Sequence, residues 1–500
     1  MPQVYQQYLH IAIIIRVELF DKIIFFSMIE KMKNIRIERD TLGAVEVPKD
    51  AYYGAHTARA IKNFPISGLK PHRVYIESIV VIKKAAALVN SKLKLLDSKI
   101  SNAIVKACNE ILAGKFDDWF VVDPYQAGAG TSLNMNVNEV IANRANELLG
   151  APLGSYKFVH PNDHINMSQS TNDVIPAAIR IAALVSLPKL LNTIKRVEKT
   201  FQKKSKEFNQ ILKAGRTHLQ DAMPITLGQE LSAYGVALTK DRKLIDKATI
   251  NLYEIGIGGT AVGTGVNTHP KYHSMMVREL SKLTKLLLKS SPNVFESMQN
   301  TADFLDFSSS LRTLAQTLIR IGNDLRLLSS GPRTGLSEII LPEVQPGSSI
   351  MPGKINPSII EMLTMVCFQV IGFDLTILLS SQAGQLELNV MLPLIAYNLL
   401  EQLNLLTNAL ESFNKNCLKG LQVNKEICRF WFERSTGVAA LLNPYIGYEK
   451  AANLVKLSLQ TNRSIKELAI EKGYLTQKKV DILFSVKNLT KPNILASSRT

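Results

Sequence analysis

The apolar positions of this chain are spaced for long helices. Leu311, Leu314, Leu318, Ile321, Leu325 and Leu328 step by 3, 4, 3, 4 and 3, which keeps them on one helical face. Leu399, Leu403, Leu406, Leu410, Phe413 and Cys417 step by 4, 3, 4, 3 and 4 and form a second such face. Both runs suit the seam of packed helices in a bundle or coiled coil. Residues 179–212 read as a third helix, broken once at Pro188. Gly- and Pro-marked loops follow at 256–265, 329–332 and 342–357. Strand-like alternation is scarce, and a short hairpin at 35–46 is its best candidate. The pattern predicts a mainly α protein with a long central helix bundle and smaller domains at either end. Apolar surface beyond one seam needs a partner, so a homo-oligomer is expected as well.

Composition narrows this picture only a little. Five hundred residues suit about three domains, and 46% apolar with 20% charged residues is an ordinary globular mix. The four cysteines, Cys108, Cys367, Cys417 and Cys428, show no C-x-x-C spacing. They cannot make a disulfide framework, a zinc site or a thiol redox pair, which points to a reducing, cytoplasmic setting. The net charge of +17 comes from 59 basic and 42 acidic side chains. Basic residues occur in scattered pairs such as Lys203-Lys204 and Lys478-Lys479, never in runs of five, which argues against a nucleic-acid arm. Residues 1–31 carry two short apolar bursts split by Arg16, Glu18, Asp21 and Lys22. That is too broken for a membrane span of about 20 apolar residues, and it lacks the marks of a secretory signal. It reads as a dispensable extension or a misplaced start codon, with Met28 and Met32 as later starts.

Four polar segments interrupt the helical pattern. They are residues 128–136 (Gly-Ala-Gly-Thr-Ser-Leu-Asn-Met-Asn), 160–173 (His-Pro-Asn-Asp-His-Ile-Asn-Met-Ser-Gln-Ser-Thr-Asn-Asp), 215–221 and 346–357. Each alone could be a turn or a helix cap, since Ser, Thr, Asn and Asp favour those positions. Together they offer neutral donors and one lysine, a set suited to a carboxylate-bearing substrate. The last segment, Pro-Gly-Ser-Ser-Ile-Met-Pro-Gly-Lys-Ile-Asn-Pro, presents Ser348, Ser349, Lys354 and Asn356 on a defined but hinged loop. A serine acts as a base only when nearby donors or cations stabilise its alkoxide, and the backbone N–H groups of 347–350 and Lys354 could do so.

The run Gly-Ser-Ser-Ile-Met-Pro-Gly-Lys-Ile-Asn at 347–356 resembles the signature loop of the aspartase/fumarase superfamily. The other three segments follow in the order that family has, and the resemblance spans about residues 33–495. It implies a three-domain fold with the long central bundle, divided here as 32–170, 171–425 and 426–500. It further implies a homotetramer whose active sites are shared between subunits. Such enzymes eliminate ammonia, water or a larger amine from a dicarboxylate, and they need no cofactor. The motifs are closer to the aspartase branch, which converts L-aspartate reversibly to fumarate and ammonia by anti-elimination. Gly130-Thr-Ser-Leu-Asn-Met-Asn136 and Asn166-Met-Ser-Gln-Ser-Thr-Asn172 match it, whereas fumarases usually carry Lys and Ser at the Met167 and Thr171 positions. The alternative is the class II fumarase branch, which residues 361–367 resemble more closely. Leu392 departs from the aspartase pattern, standing where many aspartases have an acidic residue.

The resemblance assigns roles position by position. Ser348 corresponds to the base that removes the β-proton. Thr131, Asn172 and His218 would bind the amino group. Ser170, Thr171, Ser349 and the loop amides would hold the β-carboxylate, and Thr217, Lys354 and Asn356 the α-carboxylate. His218 with Glu361 is similar to the superfamily's His–Glu pair. A crystallin-like or binding protein without activity is disfavoured, because Ser348, Lys354 and His218 are all present.

Three weaker signals lead elsewhere. Gly256-Ile-Gly-Gly-Thr-Ala261 fits G-x-G-x-x-A, but the residues before it read as helix and no βαβ alternation follows. His160 and His164 have a helical metal spacing, yet Pro161-Asn162-Asp163 reads as a loop and a structural role is expected; in fumarases the similar segment forms a second anion site. His269 and His273 share that spacing without a third ligand, so no metal site is expected. The partners expected are a small dicarboxylate and ammonia, with no nucleic acid and no membrane.

Overall fold

The computed structural model describes residues 34–492, so the extension expected at 1–31 lies outside the described residues. The chain is mainly α-helical and divides into two compact units that alternate along the sequence. The first takes residues up to Ser186, then Thr249–Leu305 and Leu375–Leu400. The second takes Leu187–Ala248, Asp306–Asp374 and the residues from Glu401 onward.

The first unit opens on the expected hairpin, strands Ile35–Asp40 and Gly43–Pro48, paired antiparallel from Ile35↔Pro48 to Asp40↔Gly43. One arginine organises the chain that leaves it. Arg36 pairs with Glu38 and donates to the carbonyls of Pro48, Lys49, Ala51 and Tyr53. Helices Ala55–Asn63, Arg73–Lys92, Ser98–Leu112 and Thr131–Leu148 follow. Asp97 caps the third by accepting from Lys99 and Ile100 N–H, which satisfies donors that the helix itself cannot. The last of these helices carries buried Glu139, whose carboxylate accepts from the N–H groups of Gly54, His56 and Thr57 and from the Thr57 hydroxyl. Those four donors tie the start of the Ala55–Asn63 helix to the Thr131–Leu148 helix.

In the second unit the two leucine faces are seams. Leu311, Leu314, Leu318, Ile321 and Leu325 are fully buried, as are Leu406, Leu410 and Phe413. Phe201 lies between Tyr234 and Phe413, at ring distances of 5.9 and 6.4 Å. Gln402 donates to the Val370 carbonyl, and Asp374 accepts from Ser308 and Arg312. Segments 187–207, 227–248, 306–328, 358–374 and 401–416 are thus joined as one bundle. Beyond it, the helices Lys425–Arg434, Tyr448–Thr461, Ile465–Glu471 and Gln477–Leu483 enclose a separate apolar cluster around Leu442, Leu454, Leu468 and Val480.

Two expectations change. The helix Thr171–Glu207 runs unbroken through Pro188. Pro188 itself is exposed, while Leu184, whose carbonyl one turn back it leaves without a donor, is buried with Leu187 and Leu190. Two strand residues, Glu254–Ile255, and not a helix, precede the glycine-rich loop; they pair in parallel with Lys289–Ser290 across the helix Tyr272–Thr284. This is a βαβ unit in miniature. Its helix begins at Tyr272, well past Gly256, so the glycines do not lead into a helix N-terminus as a dinucleotide cradle requires.

The account of Glu139 has a direct test. In Glu139→Gln the new amide N–H₂ must face N–H donors, and local opening becomes about tenfold easier. Hydrogen exchange at Gly54, His56 and Thr57 measures it; unchanged protection would contradict the role given to Glu139.

Candidate active site

Four of the ten expected site residues belong to the first unit and are set by two helix starts. Thr131 and Thr171 each open a helix, where unpaired N–H groups and the helix dipole favour an anion. Gly130, at φ 98°, allows these starts to approach: a Cβ there would lie 2.9 Å from Ile175 Cγ1. The Thr131 hydroxyl donates to the Gly128 carbonyl at 2.7 Å. The Thr171 hydroxyl accepts from Asn134 Nδ2 at 3.2 Å, and the same amide approaches Asn166 Oδ1. Behind them the buried Lys83 donates to Asn166 Oδ1 at 2.8 Å. Burial lowers Lys83 to about 7, with Asp173 pulling the other way.

Ser170 and Asn172 flank this point. Ser170 Oγ accepts from Asn172 N–H, and Asp173 Oδ1 accepts from Ser170 N–H at 2.9 Å. Asp173 is fully enclosed, and burial raises it to about 6 against the pull of backbone donors from Ser170, Gly258 and Thr260. Asn172 Nδ2 donates to the Ala261 carbonyl at 2.8 Å.

His160 and His164 lie close by in sequence but are occupied locally. The segment expected as a loop is one wide helical turn, Pro161–Ile165, with His160 at its start. His160 N–H donates to His164 Nδ1 at 2.8 Å, and His160 Nδ1 accepts from Asn162 and Asp163 N–H. His273 is held by the Ile257 carbonyl at 2.6 Å. Among the described residues no group of three or more His, Cys, Asp or Glu side chains is placed to hold a metal ion.

The second unit carries the other six. Thr217 ends the strand Leu212–Thr217, which pairs with Gln220–Thr226 in a hairpin that the sequence pattern did not reveal. Its two-residue turn is His218-Leu219, both at positive φ (55° and 59°), where Asn-Gly would be usual. Non-glycine residues pay for that conformation, and such strain gathers at functional sites. The hairpin is fixed from behind by fully buried Glu338, which meets Lys213 Nζ and Arg216 Nη1 at 2.9 Å each. Lys213 also pairs with Glu230 at 2.8 Å, so two cations face two carboxylates.

Glu338 stands one residue before the short strand Ile339–Ile340, from which the chain enters the loop of Ser348, Ser349, Lys354 and Asn356. Gly347 N–H donates to the Lys354 carbonyl, and Asn356 Nδ2 to the Gly347 carbonyl, both at 2.7 Å. These two bonds close the loop at its base. Within it, Ser348 Oγ accepts N–H from Ile350 at 3.2 Å and Met351 at 3.0 Å. Ser348 and Lys354 line one open cavity of about 450 Å³. Lys354 and Asn356 line a second of about 640 Å³ with Arg326 and Glu361, which stand 3.9 Å apart. Among the described residues no ion pair joins His218 to Glu361. Ser349 and Lys354 are exposed. Leu392, the odd residue of the motif comparison, is buried at the start of the helix Leu392–Asn416.

The candidate residues on this mainly helical chain are hydroxyls, amides, one histidine and one lysine. Comparison with known proteins gives its class. A lyase family profile matches residues 43–372, and a fumarase C C-terminus profile matches 438–491. The chain is 48% identical over 461 residues to an aspartate ammonia-lyase of Bacillus sp, covering 92% of this chain and 98% of the relative. It is 45% identical over 470 residues to the aspartate ammonia-lyase of Escherichia coli strain K12, covering 93% and 98%. Among solved structures it resembles a fumarate lyase:delta crystallin from Brucella melitensis bound to cobalt (TM-score 0.89, 45% identity, 92% of this chain and 100% of that one). It also resembles a class II fumarase from Schistosoma mansoni (TM-score 0.86, 39% identity, 91% and 98%). The chain belongs to the aspartase/fumarase superfamily of lyases.

The ion cluster behind the hairpin is the missed feature with the largest stability consequence. Glu338→Ala leaves Lys213 and Arg216 without their buried counter-charge and lowers the unfolding free energy by about 3–5 kcal/mol. Urea unfolding measures this, and a loss below about 1 kcal/mol would contradict the account.

Proposed function

We propose that this chain is an aspartate ammonia-lyase, eliminating ammonia reversibly from L-aspartate to give fumarate, with Ser348 as general base. The observation that carries the reading is the Ser348 hydroxyl, gripped by two backbone N–H groups in one cavity with Lys354. The shared name of relatives 45–48% identical over nearly their whole length selects the reaction.

The hard step is removal of a weakly acidic C–H beside a carboxylate. Ser348 must act as an alkoxide, and the N–H groups of Ile350 and Met351 with the Lys354 ammonium lower the cost of that charge. As the alkoxide takes the C3 proton, the electron pair moves into the β-carboxylate, which becomes doubly charged. Ser170, Thr171 and Ser349 supply small neutral donors where that charge develops. Thr217, Lys354 and Asn356 hold the α-carboxylate, so both ends of the substrate are fixed with C–H and C–N antiparallel. The C2–N bond then breaks, its electron pair leaves with nitrogen as ammonia, and the C2–C3 double bond of fumarate forms. Thr131, Asn172 and His218 receive the amino group. The residues that bracket Ser348 are glycine and proline hinges, so the loop can close over the bound substrate and exclude water. This chemistry draws on side chains and backbone alone.

The enzyme works as a cytoplasmic homotetramer with active sites shared between subunits. Two helices, Thr171–Glu207 and Ser358–Gln382, are long and apolar enough to cross a membrane by length and composition. The apolar window of the first is 72% buried, as in a core helix, but that of the second is only 33% buried. Met365, Phe368 and Leu375 on it are 64%, 59% and 54% exposed at helical spacing. A second copy covers this stripe in our reading, with the partly exposed Glu361 on the same helix arguing against lipid. All four cysteines are free and buried, in keeping with a reducing compartment.

Two measurements test these statements. Purified wild-type chain yields fumarate and ammonia in equal amounts from L-aspartate, and Ser348→Ala lowers kcat by about 10³-fold or more while succinate still binds. Fumarate from L-malate alone would replace the reading with a fumarase. In the double variant Phe368→Glu, Leu375→Glu, light scattering shows loss of the tetramer; a wild-type monomer would contradict the assembly.

A further inference from the structure

The glycine-rich loop at 256–265 matches a phosphate-binding pattern and holds no helix start, and Asp173 explains what it does. Gly258, at φ 99°, and Thr260, at φ 57°, turn their N–H groups to one point, forming the backbone concavity that usually takes an anion. The anion is the protein's own: Asp173 Oδ2 accepts from Gly258 N–H at 2.8 Å and from Thr260 N–H at 3.1 Å. The other oxygen, Oδ1, accepts from Ser170 N–H. One buried carboxylate thus locks the loop to the start of the Thr171–Glu207 helix.

Asn172, the neighbour of Asp173 in the same helix, reaches the same loop. Its Nδ2 donates to the carbonyl of Ala261, which the lock holds in place. The opposite orientation would set an amide oxygen against a carbonyl oxygen. Asn172 Oδ1 is therefore presented as an acceptor. An ammonium group has N–H donors and no acceptor, so it is recognised by such an oxygen, whereas a carboxylate is repelled by it. We propose that Asp173 is a positioning residue for amine recognition, aligning the Asn172 amide through the 256–265 loop so that Oδ1 meets the amino group of the substrate. This rests on the aspartate reading above.

The proposal separates the two substrates of the reverse reaction. A glycine inserted between the exposed Ala261 and Val262 displaces the carbonyl that Asn172 meets and leaves Asp173 with its three N–H partners. The KM for ammonia then rises about tenfold or more, while the KM for fumarate stays within about twofold. A defect in overall folding would raise both. Asp173→Ala, which frees the loop and the Ser170 N–H together, raises the ammonia KM at least as far and the fumarate KM less. In an Asn172→Ala background neither change adds a further rise in the ammonia KM. Equal changes in both KM values, or no change in either, would overturn the positioning role. A wild-type chain that makes no L-aspartate from fumarate and ammonia would instead overturn the functional reading.

Discussion

A carboxylate buried away from water must draw its hydrogen bonds from the chain around it, because leaving it unpaired costs several kcal/mol. Three buried carboxylates among the described residues show how that requirement is met. Glu139 collects the N–H groups of Gly54, His56 and Thr57; Asp173 those of Ser170, Gly258 and Thr260; Glu338 the side chains of Lys213 and Arg216. Each carboxylate joins segments distant in sequence. Two of them secure the segments that carry the candidate site residues, Asp173 those of the first unit and Glu338 the hairpin of Thr217 and His218. The segments that carry the candidate site residues are therefore fixed by buried carboxylates.

The candidate site residues follow a different rule. Those of the first unit are hydroxyls and an amide at helix N-termini, with Lys83 buried behind them; those of the second are hydroxyls, an amide, His218 and Lys354. Neutral donors bind a dicarboxylate without over-stabilising it, and they strengthen as charge gathers on one carboxylate in the proposed transition state. Ser348 fits the same scheme. Its hydroxyl accepts two N–H groups in the resting loop, so the charge of an alkoxide would fall where donors already point.

Local patterns were readable in the sequence. The seams at 311–328 and 399–417 were visible because burial repeats at helical spacing, and the hairpin expected at 35–46, which runs on to Pro48, because its apolar residues alternate. The four polar segments stood out against apolar helices. Partners distant in sequence were not readable. Glu338 looks like any glutamate until Lys213 and Arg216 are brought beside it, and Lys83 like any lysine until Asn166 covers it. Pro188 misled because the buried apolar residues around it, Leu184, Leu187 and Leu190, keep the long helix continuous through a single proline. The strands around Thr217–Gln220 escaped notice because their turn uses His and Leu, and no glycine or asparagine marks it. The exposed stripe at Met365, Phe368 and Leu375 was hidden in a helix that is apolar almost throughout.

The central claim is that both carboxylates are held while one base acts on one face of the substrate. Its most direct test is the reverse reaction in D₂O with fumarate and an ammonium salt, the product read by proton NMR. The account predicts L-aspartate carrying a single deuterium at C3, as one diastereomer, with deuterium and the amino group added to opposite faces. Deuterium spread over both C3 positions, or labelled malate in place of aspartate, would contradict it.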